Sequence, residues 1–156
     1  MKYWLMKSEP EDFSIADLAR IKGSAWTGVR NYQARNHMRS MQVGDRVLFY
    51  HSNADPPGVV GLAEVTKTGV VDETQFDKKS DYYDEASTKA QPRWDCVEIQ
   101  HIETFPALVP LDTLRAEPAL KHMLLLKRGM RLSVQPVTAA EFKAVLSMAH
   151  KARRPR

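Results

Sequence analysis

Gly44-Asp-Arg-Val-Leu-Phe-Tyr-His-Ser-Asn53 and Gly58-Val-Val-Gly-Leu-Ala-Glu-Val65 stand one after the other, with only Ala54-Asp-Pro-Pro57 between them. Gly44-Asp45 is a turn, and Arg46–His51 carries apolar residues on both faces of an extended strand. The Asp and Pro residues of the following loop stop that strand, and Val59–Val65, running on toward Val71, is the next. Gly61 inside it marks a bulge or a close approach by another backbone. Strand follows strand here with no helix between them. The chain therefore lacks the regular βαβ alternation of a doubly wound sheet, and the expected class is α+β.

The flanks agree. Tyr3–Met6 is an aromatic-rich strand stopped by Pro10. Phe13–Leu18 opens a helix, with Ser14 as cap, Asp17 at the third helical position and a Phe13–Leu18 hydrophobic staple, and Gly23 ends it. A second helix is expected over Tyr32–Met41, capped by Asn31. Ala34, Met38 and Met41 form its apolar row, and Arg35 and Arg39 lie one turn apart on another face. Asp72 to Gln91 is a polar excursion holding Tyr82-Tyr83, of a length that usually serves a function. Arg93–Phe105 reads as a long strand, Val97 and Ile99 on one face, Cys96, Glu98 and Gln100 on the other. Short helices follow at Leu111–Arg115 and Ala119–Leu126, then a final strand at Arg131–Val134. Thr138 and Glu141 make a capping box for the last helix, whose core stripe is Phe142, Val145, Leu146 and Ala149. The architecture expected is a strongly curved sheet or small barrel with helices packed at its ends, one domain over residues 1–150, and a basic, disordered tail over 151–156.

With 156 residues, 43% of them hydrophobic and 27% charged, the composition is that of a globular domain. The single cysteine, Cys96, excludes a disulfide within the chain and a cysteine-rich zinc site. No run approaches the ~18 apolar residues of a membrane helix. Lys7-Ser-Glu-Pro10 cuts off the first apolar run too early for a signal peptide. The expected compartment is the cytoplasm, or the nucleus in a eukaryotic source, with no membrane partner. The net charge of +4 resides in the tail, Lys151-Ala-Arg-Arg-Pro-Arg156. The remainder is neutral but segregated. Leu18–Gly44 has five basic residues (Arg20, Lys22, Arg30, Arg35, Arg39) and no carboxylate, while Asp72–Glu85 has six acids against Lys78 and Lys79. Such a split either offers one surface to a polyanion or makes two solvated faces.

No two of the five histidines are spaced i,i+3 or i,i+4, and Cys96 and His101 fall on opposite strand faces, so no metal or cofactor is expected. Gly58-Val-Val-Gly61 is too short for a phosphate loop. His51-Ser52 adjoins a loop, but neighbours on a strand point apart, and no nucleophile elbow is present. No catalytic residue is assigned. The informative segment is Trp26-Thr-Gly-Val-Arg-Asn-Tyr32. Aromatic faces stack on nucleobases, amides match base edges and arginines serve phosphates. The alternative makes Trp26 a core residue and Arg30 a surface one. Pro92-Arg-Trp94 with Tyr82-Tyr83 is a second cluster of the same kind.

Tyr3-Trp-Leu-Met-Lys-Ser-Glu-Pro10, Trp26-Thr-Gly-Val-Arg-Asn-Tyr-Gln-Ala-Arg35 and the Gly44–Asn53 segment resemble the EVE domain family. So do Pro57-Gly-Val-Val-Gly61, Pro92-Arg-Trp94 and Arg131-Leu-Ser-Val-Gln-Pro136, in order from Met1 to about Met148. The resemblance implies a PUA-like fold, a curved barrel related to the YTH and ASCH domains. It also implies a reader of modified bases in nucleic acid, with modified cytosine in DNA favoured over RNA. Such a reader takes its base out of the stack into a pocket with an aromatic wall, polar edge groups and a basic rim. On that reading Trp26 is the wall, with Tyr32, Tyr83 or Trp94 as second walls. Ser8, Asn31, Ser52, Asn53 and Gln135 are edge contacts, and Lys7, Arg30, Arg35 and Arg39 the rim. Ser8, Ser52-Asn53 and Ser133–Gln135 each follow a strand, and strand ends gathered at one mouth would bring them together. Ser8 and Asn53 could equally be turn formers. The partner expected is DNA or RNA and the protein a monomer without catalysis. The alternative is a small enzyme or small-molecule binder acting on a free nucleobase-like ligand, with Glu9, His51 and Asp45 as its titratable groups.

Overall fold

The structure, a computed structural model, describes residues 1–151, and the expected tail beyond Lys151 lies outside the described residues. In chain order the elements are β1 (Tyr3–Ser8), α1 (Ile15–Ile21), β2 (Gly23–Ala25), α2 (Tyr32–Ser40), β3 (Arg46–His51) and β4 (Gly58–Val71). After the Asp72 excursion come β5 (Asp95–Pro110), α3 (Leu111–Ala116), β6 (Val134–Val137) and α4 (Ala139–Lys151). The helix starts form as read, whereas α1 ends on Lys22, at φ 70°, and Gly23 opens β2. Ser14 and Asp17 cap α1 reciprocally, Asn31 Oδ1 accepts from Ala34 N–H at 3.0 Å to start α2, and Thr138 and Glu141 close the box on α4.

One sheet of six strands runs β2-β5-β4-β3-β1-β6, antiparallel throughout except for the parallel β1–β3 pair. Both of its faces are covered, which is why β1 and β3 are apolar at successive positions rather than alternate ones. Trp4, Met6, Val47 and Phe49 face a core shared with Ile15 and Leu18 of α1 and Ala34 and Met38 of α2. Leu5, Leu48 and Tyr50 face a second core with Leu114 of α3 and Phe142, Val145 and Ala149 of α4. The chain thus sends neighbouring residues to different cores. No helix among the described residues is long and apolar enough to cross a membrane.

The α+β class holds, but the barrel does not close. β2 and β6 remain edges, and α2 packs against both β5 and β6, so the sheet curls around this helix instead of meeting itself. The helices lie on the two faces of the sheet. Register shifts along β4, at Val59/Gly61 and Leu62/Ala63 among others, supply the bending. At Gly61 a Cβ would lie 2.5 Å from the Glu103 carbonyl oxygen and 2.9 Å from Ile15, so the close approach expected there is real. The last strand is displaced to Val134–Val137, where it pairs with β1. Ala119–Leu126 forms two short 3₁₀ turns, Pro118–Leu120 and Leu124–Leu126, rather than a helix. Cys96 joins Val97 and Ile99 in the same core, because the ladder slips between Lys67 and Val70 and breaks the alternation.

Asp45 fastens the start of the chain. It is 2% exposed and accepts hydrogen bonds from the Trp4 indole Nε1, the Lys2 N–H and the Gln42 N–H, each at 3.0 Å. Burial pushes its carboxyl pKa up, but the hydrogen bonds from Trp4, Gln42 and Lys2 outweigh it and hold the group below the usual range. Asp45→Ala strands the buried indole donor and loosens two backbone donors, at an expected cost of about 3 kcal/mol in thermal or denaturant unfolding. Asp45→Asn, which keeps one acceptor, should lose less.

Candidate functional site

The parallel pairing of β1 and β3 sets the ends of both strands side by side, and Ser52 N–H donates to the Ser8 carbonyl at 3.0 Å. Beside them lie the loop from Trp26 to Asn31, between β2 and α2, and the segment Met130–Ser133 before β6. Together they enclose a cleft of about 990 Å³. Ser8, Trp26, Arg30, Asn31, Ser52, Asn53 and Lys7 all line it, so residues from distant parts of the sequence converge. The volume lies at the upper end of the range for small-ligand pockets.

Trp26 is a core residue that also lines the cleft. It is 7% exposed and meets Phe49 edge-on at 5.5 Å and Phe13 at 6.3 Å, yet part of it forms the cleft wall. Ser8 and Asn53 are likewise turn formers and lining residues at once. Ser8 Oγ donates to the Phe13 carbonyl at 2.7 Å, and Asn53 sits at φ 48° with its amide donating to Glu9. Asn31 lines the cleft while its side-chain oxygen caps α2. Lys7 also lines it, but its ammonium lies over the Tyr50 ring, 5.8 Å from the centroid, and burial pushes its pKa down.

The arginines read as a rim are held by the protein itself. Arg30 donates to Asp72 Oδ2 at 3.0 Å, to Thr74 Oγ1 at 3.0 Å and to the Tyr82 carbonyl at 2.9 Å, with its guanidinium near the Tyr82 and Trp94 rings. Arg35 donates to the Arg93 carbonyl and packs over Tyr32, and Arg39 pairs with Asp95 at 2.7 Å. Neither Arg35 nor Arg39 reaches the cleft. Part of the charge that is segregated along the sequence is therefore neutralised in space: the basic segment and the acidic excursion meet at Asp72. That carboxylate, 2% exposed, also accepts from the Gly28 N–H at 2.8 Å. Gly28 is at φ 88°, and a Cβ there would meet the Tyr82 ring at 2.9 Å, so Tyr82 lies flat against the loop.

The excursion needs little secondary structure because it folds around one amide. Gln75, 0% exposed, accepts from Ser87 Oγ and Trp94 N–H and donates to the Trp94 and Asp72 carbonyls. Four of the expected base contacts lie off the cleft. Tyr32 and Trp94 stack on one another at 4.8 Å and 20°, and the Trp94 indole donates to Asp84 at 2.8 Å. Tyr83, within the excursion, is exposed, and its neighbour Tyr82 is the one lining the cleft. Gln135, 1% exposed, is buried with its amide on the Leu132 carbonyl.

Of the titratable groups, Asp45 serves the clamp and His51 accepts the Ile15 N–H at 3.1 Å through Nε2. Burial pushes the His51 pKa down, which keeps that nitrogen free to accept. Glu9 and Asp12 face the cleft. Phe13, Tyr82, Met130 and Arg131 are lining residues that the sequence reading passed over. For Arg131 a signal existed: no carboxylate occurs between Glu117 and Glu141.

The EVE domain model matches residues 2–148. Mouse thymocyte nuclear protein 1 is 45% identical over 165 residues, covering 94% of this chain and 73% of that protein. A hypothetical protein from Leishmania major superposes with a TM-score of 0.95 at 47% identity, covering 99% of this chain and 98% of that one. The human THYN1 protein, solved in complex with DNA containing 5-methylcytosine, superposes with a TM-score of 0.91 at 40% identity, covering 99% of this chain and 100% of that one.

Proposed function

This chain belongs to the EVE domain family, and from that premise we propose that it binds DNA and holds one modified base, 5-methylcytosine in the first instance, in the cleft at Trp26. The observation that carries the reading is the convergence of an aromatic edge with Ser8, Ser52 and Asn53 in one cleft, in a chain so similar to a protein solved with methylated DNA. A base held outside the helix needs an aromatic surface and a few donors and acceptors for its edge. Trp26, Phe13 and Tyr82 supply the first, and the loop amides and hydroxyls the second. The role is recognition. Of the three groups considered for catalysis, His51 and Asp45 are engaged structurally, which leaves Glu9 without a titratable partner from that set.

Titration of a duplex carrying one 5-methylcytosine against its unmodified twin tests this. Burying one methyl group contributes about 1 kcal/mol, so the methylated duplex should bind roughly fivefold tighter. Both affinities should fall with rising salt. Equal affinity for the two duplexes would remove base reading. Salt-independent binding of the free base, without binding of either duplex, would favour the small-molecule alternative. An RNA of the same sequence, run alongside, decides the polymer.

A further inference from the structure

Three of the four basic residues between Glu117 and Glu141 fall within Lys127-Arg-Gly-Met-Arg131. This segment is a turn, closed by the Met130 N–H donating to the Lys127 carbonyl at 3.1 Å, with Gly129 at φ 76°. Lys127, Arg128 and Arg131 are exposed. Among the described residues none of the three has a carboxylate within ion-pair distance, in contrast to Arg30 and Arg39. Met130 and Arg131 form part of the cleft wall, so the turn stands at its edge. Elsewhere on that wall the exposed carboxylates of Glu9 and Asp12 would repel a phosphate.

We propose that the turn Lys127–Arg131 is the phosphate-binding ridge of the DNA interface, gripping the backbone beside the nucleotide whose base enters the cleft. The proposal rests on the DNA-binding reading above and moves the cationic surface from α2 to the approach to β6. The chemistry favours it. Cations already satisfied by Asp72 or Asp95 exchange one partner for another when a phosphate arrives, whereas solvated, unpaired ones release counterions from the DNA.

The test compares wild type with Lys127→Ala/Arg128→Ala/Arg131→Ala, and with Arg39→Ala as control, on methylated and unmethylated duplexes at several salt concentrations. Each cation that no longer neutralises a phosphate should lower the slope of log affinity against log salt by about 0.9. The triple variant should therefore flatten the slope by between about 1 and 3 and weaken both duplexes alike, with their affinity ratio unchanged. Arg39→Ala should leave the slope where it was. If the triple variant melts early, the single variants Arg128→Ala and Arg131→Ala replace it, and at least one should flatten the slope by about 0.9; two folded single variants that both keep the wild-type slope overturn the ridge. A triple variant that folds and retains that slope overturns the ridge while leaving base reading intact. A wild type that prefers neither duplex, but loses affinity for both in the triple variant, keeps the ridge and overturns base reading. A wild type that binds no DNA ends both.

Discussion

Trp26→Ala is expected to lower the melting temperature by roughly 6–20 °C. Truncating a buried tryptophan costs about 3–5 kcal/mol, and a chain of this size shifts by about 2–4 °C per kcal/mol. The ring is 7% exposed and braced edge-on by Phe49 and Phe13, neither of which can close the gap without leaving the sheet or the turn. Affinity for the methylated duplex, measured well below the new melting point, should fall by a further ~1–3 kcal/mol, the worth of one stacked base. Trp26→Phe preserves an aromatic face and should recover much of both losses. Early melting with unchanged affinity would assign the ring to the core alone. Unchanged melting would contradict the packing itself.

Asp72→Ala should be nearly as damaging, at about 3 kcal/mol of stability, because one carboxylate serves Gly28, Arg30 and Thr74 together. Its loss leaves the Arg30 guanidinium, only 22% exposed, without its counter-charge and frees the cleft loop from the excursion. Burial raises the Asp72 pKa, but the hydrogen bonds from Thr74, Gly28 and Arg30 and the Arg30 charge outweigh it, so the folded value lies below the usual range. The sign of the pH dependence follows from that depression. Stabilisation by the carboxylate is full above its unfolded pKa of about 3.9 and is lost as pH falls through the folded value. Urea unfolding of wild type and Asp72→Ala should therefore differ at neutral pH and converge in acid. A difference that persists undiminished below that range would mean the charge is not what holds the loop.

Helix starts were readable because they are local. Ser14 with Asp17, Asn31, and Thr138 with Glu141 sit within one turn of their partners, and each caps as its sequence indicates. Sheet edges were not, since whether β2 meets β6 depends on where α2 packs, a relation among segments more than a hundred residues apart. The same distinction runs through the cleft. Residues at strand ends, Ser8 and Ser52-Asn53, converge because the strands do. Arg30 and Arg39 looked available because their partners, Asp72 and Asp95, lie 42 and 56 residues away. Tyr82 and Tyr83 are indistinguishable in sequence. The flat packing of one ring on Gly28, which only the folded excursion creates, selects the first.

The interior position of β1 has a consequence for synthesis. A chain leaving the ribosome can pair β1 with β3 early, and the core beneath α1 and α2 then fills as β4 and β5 emerge, Val134 coming last. The other edge of β1 stays open until Val134–Val137 emerges, and the second core lacks Phe142, Val145 and Ala149 until α4 follows. A nascent chain paused in this interval carries an unpaired strand edge and a bare apolar face, the combination that chaperones attend to. It also lacks the Met130–Ser133 side of the cleft if the pause comes before that segment. Completion of the cleft is thereby deferred until that segment and β6 have joined β1, and a product truncated before Met130 is left without one of its walls.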